Sequence, residues 1–175
     1  MKAQKTRTWL AGNRPDIDFM CPQLTPYPRE CARKLMKTLD SIAKPVYLIG
    51  SSMGGFWATW LVETLRLKAV MINPAVDVLN LMPNYINRDL INYYNLEKYH
   101  LTHQHLQQLK QYTFERLTHT ENYWILLQTG DETLDYQLAI NKYQGCRCTI
   151  EPGGDHSFQG FEHYLKQILD FYETA

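Results

Sequence analysis

No stretch of this chain approaches the ~20 consecutive apolar residues that a membrane-spanning helix requires, so no membrane partner is expected. A charge of one sign is equally absent: 18 Lys+Arg stand against 18 Asp+Glu, for a formal net charge of 0. Without a basic stripe, nucleic acid is not an expected partner. Residues 1–7 are basic but no apolar segment follows them, so they do not read as a secretory signal, and the cytoplasm is the expected compartment. Cysteine is scarce, with four in the chain. Cys146-x-Cys148 lacks a second close pair, and Cys21 and Cys31 stand too far apart for a zinc knuckle. The expectation is reduced, mostly buried thiols, with Cys146 and Cys148 sharing one core-facing side of a strand.

What the chain does contain is a motif at a strand end. Gly50-Ser51-Ser52-Met53-Gly54-Gly55 follows the apolar run Val46-Tyr47-Leu48-Ile49 and reads as G-x-S-x-G, the pattern of a nucleophile elbow. A sharp strand-to-helix turn strains the serine backbone and crowds its flanks, which explains the glycines. Ser52 is the candidate nucleophile. By itself the motif also fits a serine-capped helix start.

Two later segments answer it. Tyr123-Trp124-Ile125-Leu126-Leu127-Gln128-Thr129-Gly130 reads as a strand ended by glycine, and Asp131-Glu132-Thr133-Leu134-Asp135 follows. Residues 146–151 read as another strand, leading into the loop Pro152-Gly153-Gly154-Asp155-His156-Ser157-Phe158. The order serine, acid, histidine is that of an α/β-hydrolase triad. A serine hydroxyl is a weak nucleophile at neutral pH, so an imidazole must take its proton, and a carboxylate must hold the imidazole's tautomer. His156 and Asp131 fit these roles, with Asp135 the runner-up acid. The backbone N–H of Met53, the residue after the nucleophile, is a candidate oxyanion-hole donor.

At 175 residues the chain is long enough for one domain with a sizeable core, and no repeat or linker divides it. The periodicity predicts helices over 2–11, 29–42 and 161–172, and a helix after the elbow whose Trp57, Leu61 and Leu65 face a sheet. Strands are predicted over 17–21, 46–49 and 67–72, besides the two that precede Asp131 and His156. Residues 76–122 read as a lid-like insertion, with helical pieces over 88–97 and 102–112. Alternating strands and helices imply a mostly parallel sheet covered by helices on both faces, with Ser52, Asn73, Asp131 and His156 all opening onto its carboxyl edge.

Other constellations carry weaker readings. His100, His103 and His105 cluster, but His103 and His105 fall on different helix faces and no H-E-x-x-H glutamate accompanies them, so they read as surface histidines of the insertion and no metal is expected. His163 reads as an exposed or packing residue of the terminal helix. Tyr85, Tyr93, Tyr94 and Tyr99 either line an acyl pocket or simply pack.

Taken together, Cys21-Pro22-Gln23-Leu24, the elbow with Phe56-Trp57-Ala58-Thr59-Trp60, Asn73-Pro74-Ala75-Val76, Leu126-Leu127-Gln128-Thr129-Gly130-Asp131-Glu132 and Gly153-Gly154-Asp155-His156-Ser157-Phe158 resemble the YqiA/YcfP family of small bacterial α/β-hydrolases. The resemblance covers nearly the whole chain. It implies a carboxylesterase or thioesterase acting on small-molecule acyl esters, without metal or organic cofactor, with Ser52 as nucleophile, Asp131 as acid and His156 as base.

One departure from the family stands out. Its members resemble one another in an initial apolar strand and a His-Gly-Phe-type loop that supplies a second oxyanion donor, whereas no His-Gly pair occurs here. That strand belongs between the 17–21 strand and the elbow strand, so the expectation is a missing inner N-terminal strand, from a truncated or misassigned start, and either a gap or a rearranged pairing. The leading functional expectation is a serine hydrolase, carboxylesterase or acyl thioesterase. A catalytically weakened binding protein on a hydrolase fold and a serine peptidase are the alternatives.

Overall fold

The computed structural model describes residues 1–92 and 96–174. In chain order its elements are α1 (Lys2–Asn13), α2 (Pro28–Asp40), β1 (Tyr47–Ser52), α3 (Met53–Leu65), β2 (Lys68–Pro74), α4 (Val78–Leu81), β3 (Asp89–Ile91), β4 (Lys98–His100), α5 (His103–Lys110), β5 (Tyr123–Gln128), α6 (Tyr136–Lys142), β6 (Arg147–Glu151) and α7 (Leu165–Glu173). Short 3-10 turns cover Met82–Tyr85, Thr120–Asn122 and Phe161–Tyr164.

Four strands form one parallel sheet in the order β1-β2-β5-β6. β2 and β5 are its inner strands, and their apolar runs are buried on both faces, as parallel strands under helices must be. Period-two alternation sorts their side chains. Val70, Ile72, Trp124 and Leu126 face Leu165, Ile168 and Phe171 of the C-terminal helix, while Ala69, Met71, Tyr123, Ile125 and Leu127 face Ala58 and Val62 of α3 and Ala139 of α6. Burying a large apolar side chain contributes about 1.5–3 kcal/mol, and this two-sided core fixes the position of the strands that end at the carboxyl edge.

Residues 17–21 form no strand, contrary to the sequence expectation. The alternation is real, since Ile17 and Phe19 are half-buried and Asp18 and Met20 exposed. Side chains hold this segment instead of a ladder: the Arg7 guanidinium lies 5.3 Å from the centre of the Phe19 ring, and Lys44 pairs with Asp18 at 2.8 Å. Among the described residues β1 pairs only with β2 and so forms one edge of the sheet. Tyr47 and Ile49 on this edge strand are correspondingly 43% and 38% exposed.

The insertion departs from expectation in its first half. Residues predicted as a helix over 88–97 carry instead β3, which pairs antiparallel with β4 just beyond them, Leu90 opposite Tyr99, and the part of the prediction on 93–95 lies outside the described residues. Three-residue strands show too few periods to separate from a helical stripe. The second half agrees: α5 starts at the Thr102 cap and ends at Lys110. Val78, Met82, Leu101 and Leu109 of the insertion join Cys31 and Leu35 of α2 and Phe56 and Trp57 of α3 in one cluster.

Cysteine burial also differs from expectation. Cys31 is buried and Cys146 half-buried, but Cys21 and Cys148 are exposed. β6 is an edge strand, so one of its sides faces solvent and takes Cys148 with it.

Candidate active site

Ser52 closes β1 and caps α3 with φ 52° and ψ −124°, a conformation that side-chain-bearing residues seldom adopt. Two glycines make the turn possible. A Cβ on Gly50 would lie 2.6 Å from the Gly54 carbonyl oxygen, and one on Gly55 would lie 2.5 Å from the Pro74 Cβ. The peptide N–H of Ala75 donates to the Ser52 carbonyl at 3.0 Å and ties the elbow to the end of β2.

The three residues picked from sequence meet at the carboxyl edge. His156 Nε2 lies 3.1 Å from Ser52 Oγ, and His156 Nδ1 lies 2.8 Å from Asp131 Oδ2 and 3.0 Å from Oδ1. The Asp131 side chain is 2% exposed and that of His156 24%, so the carboxylate is shielded while the imidazole can meet a ligand. Asp131 is fixed in turn by the N–H groups of Thr133 and Leu134, which donate to Oδ1 at 2.9 and 2.8 Å. The runner-up Asp135 is elsewhere employed: it caps α6 by accepting the Gln137 N–H at 2.9 Å.

Met53 is the first residue of α3, and its N–H belongs to the opening turn, where backbone donors have no intrahelical partner. It therefore stands beside Ser52 with the positive end of the helix behind it. Lys2, at the start of α1, donates to the Ser157 carbonyl at 2.6 Å. Burial lowers its pKa, against the raising pull of Asp155 and Asp131.

Sequence reasoning left Glu132 without a role, yet its Oε2 accepts the backbone N–H of His156 at 3.0 Å. Backbone N–H donors, its own first and that of His156 next, hold the Glu132 carboxyl below the usual range. Asn73 and Gln128 also reach the His156 loop. The sequence places Asn73 on the carboxyl edge but gives it no role, and for Gln128 the only sequence signal is polar identity at the end of an apolar strand run.

The remaining candidates do not join this site. His105 Nδ1 accepts the Thr102 N–H at 3.0 Å in a capping box, and His100 faces Asp89 at 3.6 Å. Among the described residues no three His, Cys, Asp or Glu side chains gather as metal ligands. Tyr85 is exposed, Tyr99 packs against the insertion's core, and Tyr93 and Tyr94 lie outside the described residues. A small hollow elsewhere is lined by Phe56, Tyr112, Phe114 and Tyr143 together with the polar Thr59, Thr113 and Lys142. No helix among the described residues is long and apolar enough to cross a membrane.

A helix-covered parallel sheet with a strained serine between strand and helix defines the α/β-hydrolase fold, and solved structures bear this out. A putative hydrolase from Agrobacterium vitis S4 superposes with a TM-score of 0.66 at 18% identity, over 83% of this chain and 69% of its own. Tomato methylketone synthase I gives 0.67 at 12% identity over 98% and 92%, and mouse alpha/beta hydrolase domain-containing protein 10 gives 0.64 at 15% over 97% and 82%. Within that fold, residues 1–173 match the model of the Uncharacterised protein family (UPF0227), and the chain belongs to this family, the YqiA/YcfP group that its motifs resemble.

Proposed function

We propose that this protein is a serine hydrolase that cleaves small acyl esters or thioesters through an acyl-enzyme intermediate. The observation that carries the reading is the unbroken hydrogen-bonded line from Ser52 Oγ through both nitrogens of His156 to a shielded Asp131. Nε2 accepts the Ser52 proton as Oγ attacks the substrate carbonyl carbon, and Asp131 stabilises the imidazolium that forms. The carbonyl oxygen becomes an oxyanion, for which the Met53 N–H at the start of α3 is the backbone donor this reading assigns. Collapse expels the alcohol or thiol, which takes the proton back from Nε2. Water then enters by the same route, gives its proton to Nε2, and releases the acid and free Ser52.

In this reading the chain works as one catalytic unit with residues 76–122 as its lid. The fold relatives include an esterase domain from Rhodothermus marinus and a Paleococcus ferrophilus monoacylglycerol lipase, which supports ester chemistry. The test is turnover of p-nitrophenyl acyl esters and acyl-CoA thioesters by wild type and Ser52→Ala. Hydrolysis that Ser52→Ala abolishes supports the proposal; equal turnover by the two sinks it.

A further inference from the structure

Two buried amides that the proposed chemistry does not use meet beneath the His156 loop. Asn73, at the end of β2, is 2% exposed and Gln128, at the end of β5, is 3% exposed. Asn73 Oδ1 accepts the Gln128 backbone N–H at 3.0 Å, and Asn73 Nδ2 donates to the carbonyls of Asp155 at 3.0 Å and His156 at 3.4 Å. Gln128 Oε1 accepts the N–H groups of Asp155 at 3.2 Å and Gln159 at 2.8 Å, while its Nε2 donates to Glu151 Oε2 at 2.7 Å and the Gln159 carbonyl at 2.8 Å.

We infer that Asn73 and Gln128 form an amide clamp that positions His156 against Ser52. The inference deepens the hydrolase reading and rests on it. The loop needs such a device. Gly153 and Gly154 both sit at φ 74°, where backbone freedom is greatest, and β6 ends before them at Glu151. The clamp bonds the loop on both sides of His156, at Asp155 and Gln159, and Asn73 also reaches the His156 carbonyl itself. With Glu132 on its N–H, both polar groups of the His156 backbone are held.

The chemistry calls for amides in particular. Each position must donate twice while also accepting, a capacity that among neutral side chains belongs to Asn and Gln. Gln128 spends all four of its sites, so a buried polar group that would otherwise be costly is fully paired. Asn73 adds a φ of 40°, a left-handed conformation that asparagine tolerates better than most residues. Gly154 lies so close to the clamp that a Cβ on it would fall 1.9 Å from Gln128 Oε1.

The test uses the full chain with Asn73→Asp and Gln128→Glu, which keep side-chain size and the acceptor oxygen but replace the donating NH2. Hydrolysis of p-nitrophenyl acetate and the ¹H–¹⁵N spectrum of the His156 ring are both read. The expected result is a fall in kcat of about 10- to 100-fold with KM unchanged within about two-fold, since misplacing a catalytic group by about 1 Å has effects of this order. The Nδ1–H bonded to Asp131 should exchange slowly in wild type and rapidly in both variants, while the backbone amide spectrum of β2 and β5 persists. A folded variant that keeps both its kcat and its slow Nδ1–H overturns the inference. Should wild type hydrolyse no faster than Ser52→Ala, the hydrolase reading fails, and the ring resonance alone then decides the clamp: lost in both variants supports it, retained overturns it. Should Asn73→Asp fail to fold, Gln128→Glu carries both readouts.

Discussion

Gly55 and Pro74 touch so closely that a Cβ on the glycine would fall 2.5 Å from the proline Cβ, whereas the same atom on Gly54 meets nothing within 4 Å. The contact locks the first turn of α3 onto the end of β2 and so holds the Ser52 turn from below. It also separates two glycines that look equivalent in sequence.

Gly55→Ala and Gly50→Ala should each destabilise the protein by about 1–3 kcal/mol, the usual cost of overpacking, because backbone atoms and Pro74 would have to give way. Gly54→Ala should leave stability unchanged or slightly raised, since alanine favours a helix by up to about 1 kcal/mol over glycine. Urea denaturation of the three variants checks the order. A Gly54→Ala protein as unstable as Gly55→Ala would contradict it.

Asp131→Asn should lower kcat for p-nitrophenyl esters by about 10⁴-fold, because the amide cannot hold His156 in the required tautomer. Asp135→Ala should leave kcat intact and cost about 1 kcal/mol of stability, the typical worth of a helix cap. Steady-state kinetics and thermal melts of the pair assign the acid. Loss of activity in Asp135→Ala alone would reverse the assignment.

Burial pushes the Cys31 thiol, and likewise that of Cys146, up to about 12. The thiolate is the reactive form, so iodoacetamide at pH 8 should modify the exposed Cys21 readily and leave Cys31 untouched until the protein unfolds. Peptide mass spectrometry after timed quenching reads this directly. Early labelling of Cys31 would show that its packing against α3 and the insertion is wrong.

Acid should loosen the His156 loop before the sheet. The Tyr164 hydroxyl and the Gln128 amide lower the Glu151 pKa, the side chains of Gln159 and Ser157 lower that of Asp155, and backbone donors lower that of Glu132. Carboxylates depressed in the folded state contribute stability in full above their ordinary values near about 4, and that contribution is lost as pH falls through the lower folded values. Backbone amide resonances of residues 153–160 should therefore broaden below about pH 4 while those of β2 and β5 stay sharp. Simultaneous loss of both sets would place the acid-sensitive groups elsewhere.

The parts legible from sequence share a cause. The elbow and the segments bearing Asp131 and His156 follow strongly apolar strands whose boundaries glycine marks, and chain order along a parallel sheet puts their ends on one edge. Sequence pattern and structure part where the deciding contact is not local. Residues 17–21 alternate as a strand does, but no strand pairs with them among the described residues. Residues 89–91 and 98–100 pair as antiparallel strands, with Leu90 opposite Tyr99.

Sequence by itself determined which side chains could do the chemistry and on which edge they would lie, because strand periodicity, glycine punctuation and residue type are local properties. Tertiary structure decided which acid faces the histidine, which glycine is sterically required, and that Asn73 and Gln128 bind the His156 loop. Those outcomes depend on contacts between segments distant in the chain, 25 residues apart for Asp131 and His156 and 83 for Asn73 and His156, which appear only once the core has set the spacing of the strands.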